Sequence, residues 1–350
     1  MNFSTVGKAR FLFFAAMLLT AARARGQDIP DQPVGQAPPE KQAEEVAIFP
    51  ERGVLTPKGS LVVEPSFEYI HSSATQVAIE GFTVIPAVAI GLINVSELQR
   101  DTMTAALAFR LVVTNRLEVE AKVPYVYKVE NVREREFSEG TPLDIITDSS
   151  GNDLGDVECA VHYQVNRGDH FPYLIANVRA KSRTGTDPFE VEREVLRAND
   201  GTPIGEVFKE QPTGSGFWGV QPSVTLIYPT DPAVLYFNVN YLWNVERNVG
   251  GDYGTVDPGD SAGVSFGMGF AVNERTSFSL GYDHSVVFKS SFEHDAGLEP
   301  VFNQIQIGTF LVGVSHRLSD RVNFNLSLGI GVTNEAPDVQ LLFRLPVTVL

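Results

Sequence analysis

From Ser60 to Leu350 the chain alternates apolar and polar residues in segments of roughly ten, separated by turn signals. Met103, Ala105, Leu107, Phe109, Leu111 and Val113 share one parity, and Thr104, Ala106, Ala108 and Arg110 the other. Leu117, Val119, Ala121, Val123 and Tyr125 oppose Glu118, Glu120 and Lys122. The same pattern puts Leu235, Phe237, Val239, Tyr241 and Trp243 against Tyr236, Asn238, Asn240 and Asn244. Val264, Phe266, Met268 and Phe270 stand against Gly263, Ser265, Gly267 and Gly269, and Phe324, Leu326 and Leu328 against Asn323, Asn325 and Ser327. A period of two sends successive side chains to opposite faces of a sheet. Each segment therefore predicts a strand with one greasy and one wet face, and twelve such strands are read from the chain.

The connections alternate too. Short polar ones stand at Thr114–Arg116, Asn166–His170, Pro229–Pro232, Asn273–Arg275 and Ser319–Asp320. Longer ones occupy 129–156, 184–214, 246–260, 289–303 and 333–338. Short turns at one end and long loops at the other are the layout of a transmembrane, antiparallel, up-and-down β-barrel, with periplasmic turns and extracellular loops. This all-β fold is expected over residues 59–350. An even count with both termini on the periplasmic side supports twelve strands, while the strand-like stretch FTVIPAVAIGLINV (82–95) leaves fourteen open. A soluble β-sandwich also alternates. The length of the strands and the uncharged or Gly-rich polar faces favour the barrel.

Residues 1–24 read as an export signal. Lys8 and Arg10 precede the apolar run Phe11–Thr20, and Ala22-Arg23-Ala24 forms a small-residue cleavage site. Sec-type export to the bacterial outer membrane is expected. Residues 25–58, rich in Pro, Gln and Glu, read as a periplasmic tether or a plug segment, with Glu40–Phe49 the one stretch able to make a short helix. No apolar run reaches the ~18–20 residues of a spanning helix, which excludes a helical membrane protein but not a barrel.

Charge narrows the function. The chain carries 27 Lys+Arg against 43 Asp+Glu, a net charge of −16, which argues against a nucleic-acid partner. The lone Cys159 excludes an intrachain disulfide and a Cys-based zinc site. No metal and no cofactor are expected. Tyr125, Tyr127, Tyr163, Trp218, Tyr228, Trp243 and Tyr282 fall near segment ends, where a membrane interface favours aromatic rings with a polar edge. The wet parity carries both signs: Glu64, Glu68, Arg110, Glu118, Glu120, Lys122, Glu158, His162, Arg179, Lys181, Arg183, Asp283 and Arg344 are the candidate lumen-lining residues. Arg110 and Glu118 flank one short turn and are expected to meet, as are Glu158 and Arg179 on neighbouring strands. Such pairs either rigidify the wall or form a mixed-charge constriction. Asp148, Asn152, Asp153 and Asp156 weakly suggest a calcium loop, without the EF-hand spacing. GGDYG near 250 suggests one unit of a calcium β-roll, which works only as a repeat.

Four stretches resemble a family of bacterial outer-membrane transporters named for the meta-pathway of phenol degradation. They are GVLTPKGSLVVEPSFEYIHSS (53–73), TNRLEVEAKVPYVY (114–127), DLGDVECAVHYQV (153–165) and TGSGFWGVQPSVTLIYPTDPAVLYFNVNYLWNV (213–245). The resemblance implies a twelve-stranded barrel passing aromatic or hydrophobic solutes, and no catalytic residues. Barrels similar to these also serve functional-amyloid export. Such barrels commonly end in an aromatic residue read by the outer-membrane insertion machinery, whereas this sequence ends LLFRLPVTVL, with Pro346 removing a ladder donor from the last strand.

The expected function is a channel that passes small solutes passively, since no ATP-binding motif is present. Its expected partners are outer-membrane lipids, the insertion machinery and the solutes. Oligomeric state is open. The alternative is a plugged barrel for export or surface interaction. A third reading is a lipid hydrolase built on His71 and Ser73 of the outward parity, for which no orienting third group is identifiable in the sequence. Asp283-His284-Ser285 is contiguous, so its His and Ser fall on opposite faces.

Overall fold

The computed structural model describes residues 58–73, 95–136, 143–166, 172–197, 203–250, 254–293 and 304–349. The expected signal, the tether up to residue 57 and residues 82–94 of the strand-like stretch lie outside the described residues. The elements are β1 (Leu61–Ser72), β2 (Val95–Thr114), β3 (Leu117–Glu136), β4 (Leu143–Leu154), β5 (Glu158–Gln164), β6 (Tyr173–Lys181), β7 (Arg193–Arg197), β8 (Pro203–Phe208), β9 (Gly219–Pro229), β10 (Ala233–Asn244), β11 (Arg247–Gly250), β12 (Gly254–Asp257), β13 (Ser261–Asn273), β14 (Thr276–Val287), β15 (Ser291–Glu293), β16 (Ile305–Ser319), β17 (Val322–Gly331), β18 (Val339–Arg344) and β19 (Val347–Thr348). All wall pairings are antiparallel between consecutive staves, and β1 pairs with β18 and β19 to close the ring. β4 and β5 continue one another along β3, and β18 and β19 form one stave interrupted at Leu345-Pro346. The wall therefore has twelve staves.

Three of the short turns are closed by their own polar side chains. Thr114 Oγ1 accepts from Arg116 N at 3.2 Å, Asn273 Oδ1 from Arg275 N at 2.9 Å and Ser319 Oγ from Arg321 N at 3.3 Å. Each side chain mimics a backbone turn, which explains why Asn, Thr and Ser punctuate the pattern there. Between turns the alternation becomes two surfaces. Phe237, Phe266, Met268, Leu280 and Phe310 face outward and exposed, while Asn238, Ser265, Ser279 and Thr309 are buried inside. A greasy exterior around a wet interior is the inverse of a soluble sandwich. Staves such as β10 and β13, of 12 and 13 residues, exceed the ~9–11 residues that a tilted strand needs to cross a bilayer. The fold is a membrane-spanning barrel.

The long connections differ from the expectation. Within 129–156, residues 129–136 continue β3 and Leu143–Leu154 form β4, paired antiparallel, where a loop was expected. The connection after β6 holds the β7–β8 hairpin, and β11, β12 and β15 form a small sheet of their own. VENVRERE carries charge at odd and even positions alike, so strand beyond the membrane has no period-two signature. The calcium resemblance is corrected as well. Asp148, Asn152 and Asp153 belong to β4, and Asp156 turns inward to bind the chain's own groups.

Candidate functional site: the barrel lumen

The staves divide the interior into two halves. Where β1, β2, β3, β5 and β18 meet, the lumen is charged. Arg110, 5% exposed, donates to Glu64 Oε2 at 2.7 Å and lies 4.0 Å from Glu118 and 3.8 Å from Glu120. The expected Arg110–Glu118 approach is present, but Glu64 holds the short bond. Arg344 is buried beside this group, and Glu68 accepts from Gln340 Nε2 at 2.6 Å. Higher on the wall Lys122 and Arg179 flank Glu158 at 3.5 and 4.0 Å. Lys181 is buried against Asp156, 3.9 Å away. Asp283 sits on the inward parity of β14, opposite Ser265 and Thr309. Arg183 stands apart from the other candidates: β6 ends at Lys181 and Arg183 is exposed beyond it.

The other half is predominantly neutral, with Asp283 of β14 the exception among the candidates. His162 Nδ1 meets Asn177 Oδ1 at 2.8 Å, and Asn177 Nδ2 donates to Ser223 Oγ and Thr225 Oγ1 at 3.2 and 3.1 Å. Asn238 Nδ2 donates to Thr225 Oγ1 at 2.9 Å, Asn240 Nδ2 to Asn238 Oδ1 at 3.3 Å, and Gln221 Nε2 to Asn240 Oδ1 at 3.1 Å. These bonds run across β5, β6, β9 and β10 as one network. Buried amides and hydroxyls without such partners would each cost about 1–3 kcal/mol.

Apolar clusters cap this neutral half at both ends. Tyr173, Ile175, Ile227, Val234 and Tyr236 pack together toward the short turns. Leu242, Val287, Ile307 and Ala336 pack together toward the long loops. The candidate list contained none of these residues. The wet parity was read as polar, and in TLIYPTDPAVLY both parities are apolar, so the alternation that separates in from out is erased.

A clasp of buried polar groups sits at the long-loop end. Asp156 Oδ2 accepts from Ser215 N at 2.8 Å and Ser215 Oγ at 2.6 Å, and Asp156 Oδ1 accepts from Gly185 N at 3.1 Å. Lys181 Nζ donates to Ser215 Oγ at 2.6 Å. The segment TGSG (213–216) fits because it lacks side-chain bulk. A Cβ on Gly214 would lie 2.7 Å from Asp156 Oδ1 and 2.8 Å from the Gly185 backbone. Gly216 has φ +75°, a region open to glycine at little cost. Replacing Asp156 with Ala strands buried donors on three residues. That should cost this segment about 3 kcal/mol or more, read as a fall of roughly a hundredfold in amide-exchange protection at Ser215 and Gly185. Unchanged protection would show that the clasp does not hold the loop.

The outer face carries two further features. An apolar groove of about 570 Å³ is lined by Tyr228, Leu235, Phe237, Phe266, Leu280 and Phe310 among others, and floored by the paired Gly267 and Gly281. Its residues face lipid, so it is not the passage. His71 Nδ1 meets Asp101 Oδ1 at 2.8 Å, and Tyr69 OH donates to the same oxygen at 2.7 Å. Asp101 is the third group that the sequence did not reveal. Ser73 Oγ, however, gives its proton to Asp338 Oδ2 at 2.5 Å, so the hydroxyl is directed at a carboxylate and not at His71.

Residues 201–346 match the family model described as putative MetA-pathway of phenol degradation. An outer membrane channel from Pseudomonas putida F1 is similar in structure, with a TM-score of 0.52 at 15% identity, covering 84% of this chain and 96% of that one. The β domain of the Bordetella autotransporter BrkA gives 0.46 at 11% identity, covering 83% and 100%. The toluene transporter TbuX of Ralstonia pickettii gives 0.43 at 11% identity, covering 85% and 91%. The first of these is a likeness of fold.

Proposed function

We infer that this chain is an outer-membrane channel that passes small uncharged solutes, aromatic or otherwise hydrophobic, without an energy source. One observation carries the reading: the neutral half of the lumen has apolar clusters at both ends and amide and hydroxyl groups between them. Once these buried side chains part, an apolar ring finds a surface to leave water at each mouth, and the middle offers hydrogen bonds to a phenolic or similar polar group. The charged half binds its own partners, so it contributes rigidity more than attraction for ions. The family match over 201–346 covers β9 to β18, which supply much of the neutral half, and the family's name supports aromatic cargo.

The lumen is closely filled, with Thr225, Asn238 and Asn325 at most 1% exposed. Passage therefore needs side chains or the clasp to yield, and ion conductance should be small. Proteoliposome uptake tests this. Phenol-sized neutral aromatics should enter faster than into empty vesicles, while sugars and inorganic ions of similar size should not. Equal permeability to all three would overturn the neutral-track reading, and permeability to none would favour a plugged barrel that binds partners at its surface.

A further inference from the structure

Where the charged and neutral halves meet, three metal-ligating side chains converge. Glu118 and Glu120 lie two apart on β3, so both point inward, and His162 of β5 is the register partner of Glu118. One carboxylate oxygen of each glutamate and one imidazole nitrogen lie within 4.8 Å of one another. Glu118 and His162 are 3% and 4% exposed.

The tautomer of His162 decides what this cluster can do. Asn177 spends its amide hydrogens on Ser223 Oγ and Thr225 Oγ1, which turns its carbonyl oxygen toward His162 Nδ1 at 2.8 Å. That oxygen has no proton to give, so Nδ1 must carry one. Nε2 is then the ring nitrogen left to act as a ligand. A bare lone pair beside two carboxylates is repulsive, and a proton or a metal ion between them relieves it.

The guanidinium groups nearby are each shared among several carboxylates. Arg110 is drawn to Glu64 at 2.7 Å and reaches Glu118 and Glu120 only at 4.0 and 3.8 Å. Arg344 lies in the field of Glu64, Glu68 and Glu120. Four carboxylates thus share two guanidinium groups. The next cations, Lys122 and Arg179, turn to Glu158.

We propose that Glu118, Glu120 and His162 form a lumenal site for a divalent transition-metal ion, of which zinc fits best. Zinc accepts imidazole nitrogen at ~2.0–2.1 Å and carboxylate oxygen at ~2.0–2.2 Å, and keeps a fourth position for water. Ligand atoms around such an ion stand about 3.3 Å apart, so rotation of the two glutamate side chains closes the present spacing onto it. Asn177 supplies the hydrogen bond that fixes the ring of a metal-bound histidine. The ion would place positive charge between Glu118 and Glu120 and tie β3 to β5. Glu118-x-Glu120 and His162 lie far apart in sequence and match no metal motif, which is why no metal was expected. The site depends on the fold alone and not on the transport reading.

The full chain, refolded in detergent and stripped with chelator, is titrated with Zn²⁺ by calorimetry. A single saturable site is expected. It should weaken about tenfold or more in Asn177→Ala, disappear in His162→Ala, and persist in His316→Ala, a histidine that meets Thr276 elsewhere on the wall. No saturable site in the parent protein, or equal binding in His162→Ala, overturns the proposal. Should His162→Ala fail to refold, X-ray absorption of the zinc-loaded parent decides. One imidazole with carboxylate oxygens supports the site, and a shell with no imidazole, or several, overturns it.

Discussion

Arg110→Met should lower stability by about 3–5 kcal/mol, the range for removing one partner of a buried ion pair. The guanidinium is 5% exposed and stands among Glu64, Glu118 and Glu120 at 2.7, 4.0 and 3.8 Å. Methionine matches its length but leaves the carboxylates in the lumen with Arg344 as their nearest remaining counter-ion. Most of the expected cost is that uncompensated charge, not the bond itself. Urea unfolding of the protein in lipid vesicles measures it. Adding Glu64→Gln to Arg110→Met should return part of the loss, since removing both partners is far cheaper than removing one. A single variant as stable as the parent would show that the charged half of the wall is wetter than its burial indicates.

Phe237→Arg should cost about 2–4 kcal/mol and impair insertion, because a cation would face hydrocarbon near the middle of β10. Phe237 is 40% exposed and its neighbour Asn238 is 1% exposed. Asn238→Leu probes the other face. It breaks bonds to Thr225 and Asn240 and should cost about 1–3 kcal/mol for the stranded groups, while insertion is unaffected. Denaturant titration in vesicles gives both energies, and protease shielding reports insertion. If the two substitutions had the same effect on insertion, the assignment of faces along β10 would be wrong.

Much of the wall was legible because lipid and water impose different chemistry on alternate residues. In SAGVSFGMGF the parity of Val264, Phe266, Met268 and Phe270 reads directly as the outer face of β13. Legibility ends where that contrast ends. Beyond the membrane, β3 and β4 carry polar residues on both faces, so a long hairpin read as a loop. Inside the apolar caps, Ile175, Ile227 and Val234 are inward yet greasy, so their role was hidden. Partners across a short turn were readable, as with Arg110 and Glu118. Partners from staves separated by a long connection or by ring closure were not. Glu64 meets Arg110 from the preceding stave β1, and Arg344 arrives from the last one, through a register that no local period encodes. Asp156 was read with its sequence neighbours Asp148, Asn152 and Asp153, but its real company is Ser215, Gly185 and Lys181, supplied by other parts of the chain.

The junction between β1 and β18–β19 has a kinetic side. Every other wall contact is a local hairpin or a neighbour reached through one loop, whereas Glu68 and Gln340 are 272 positions apart. Chain entropy makes so distant a pairing late. Until it forms, the growing sheet has two raw borders, each a row of unsatisfied amide and carbonyl groups that would bind any passing strand. Leu345-Pro346 interrupts one of those borders and removes an amide from it. A nascent chain of this design therefore travels with adhesive flanks, and its safe passage depends on their being covered until they find each other.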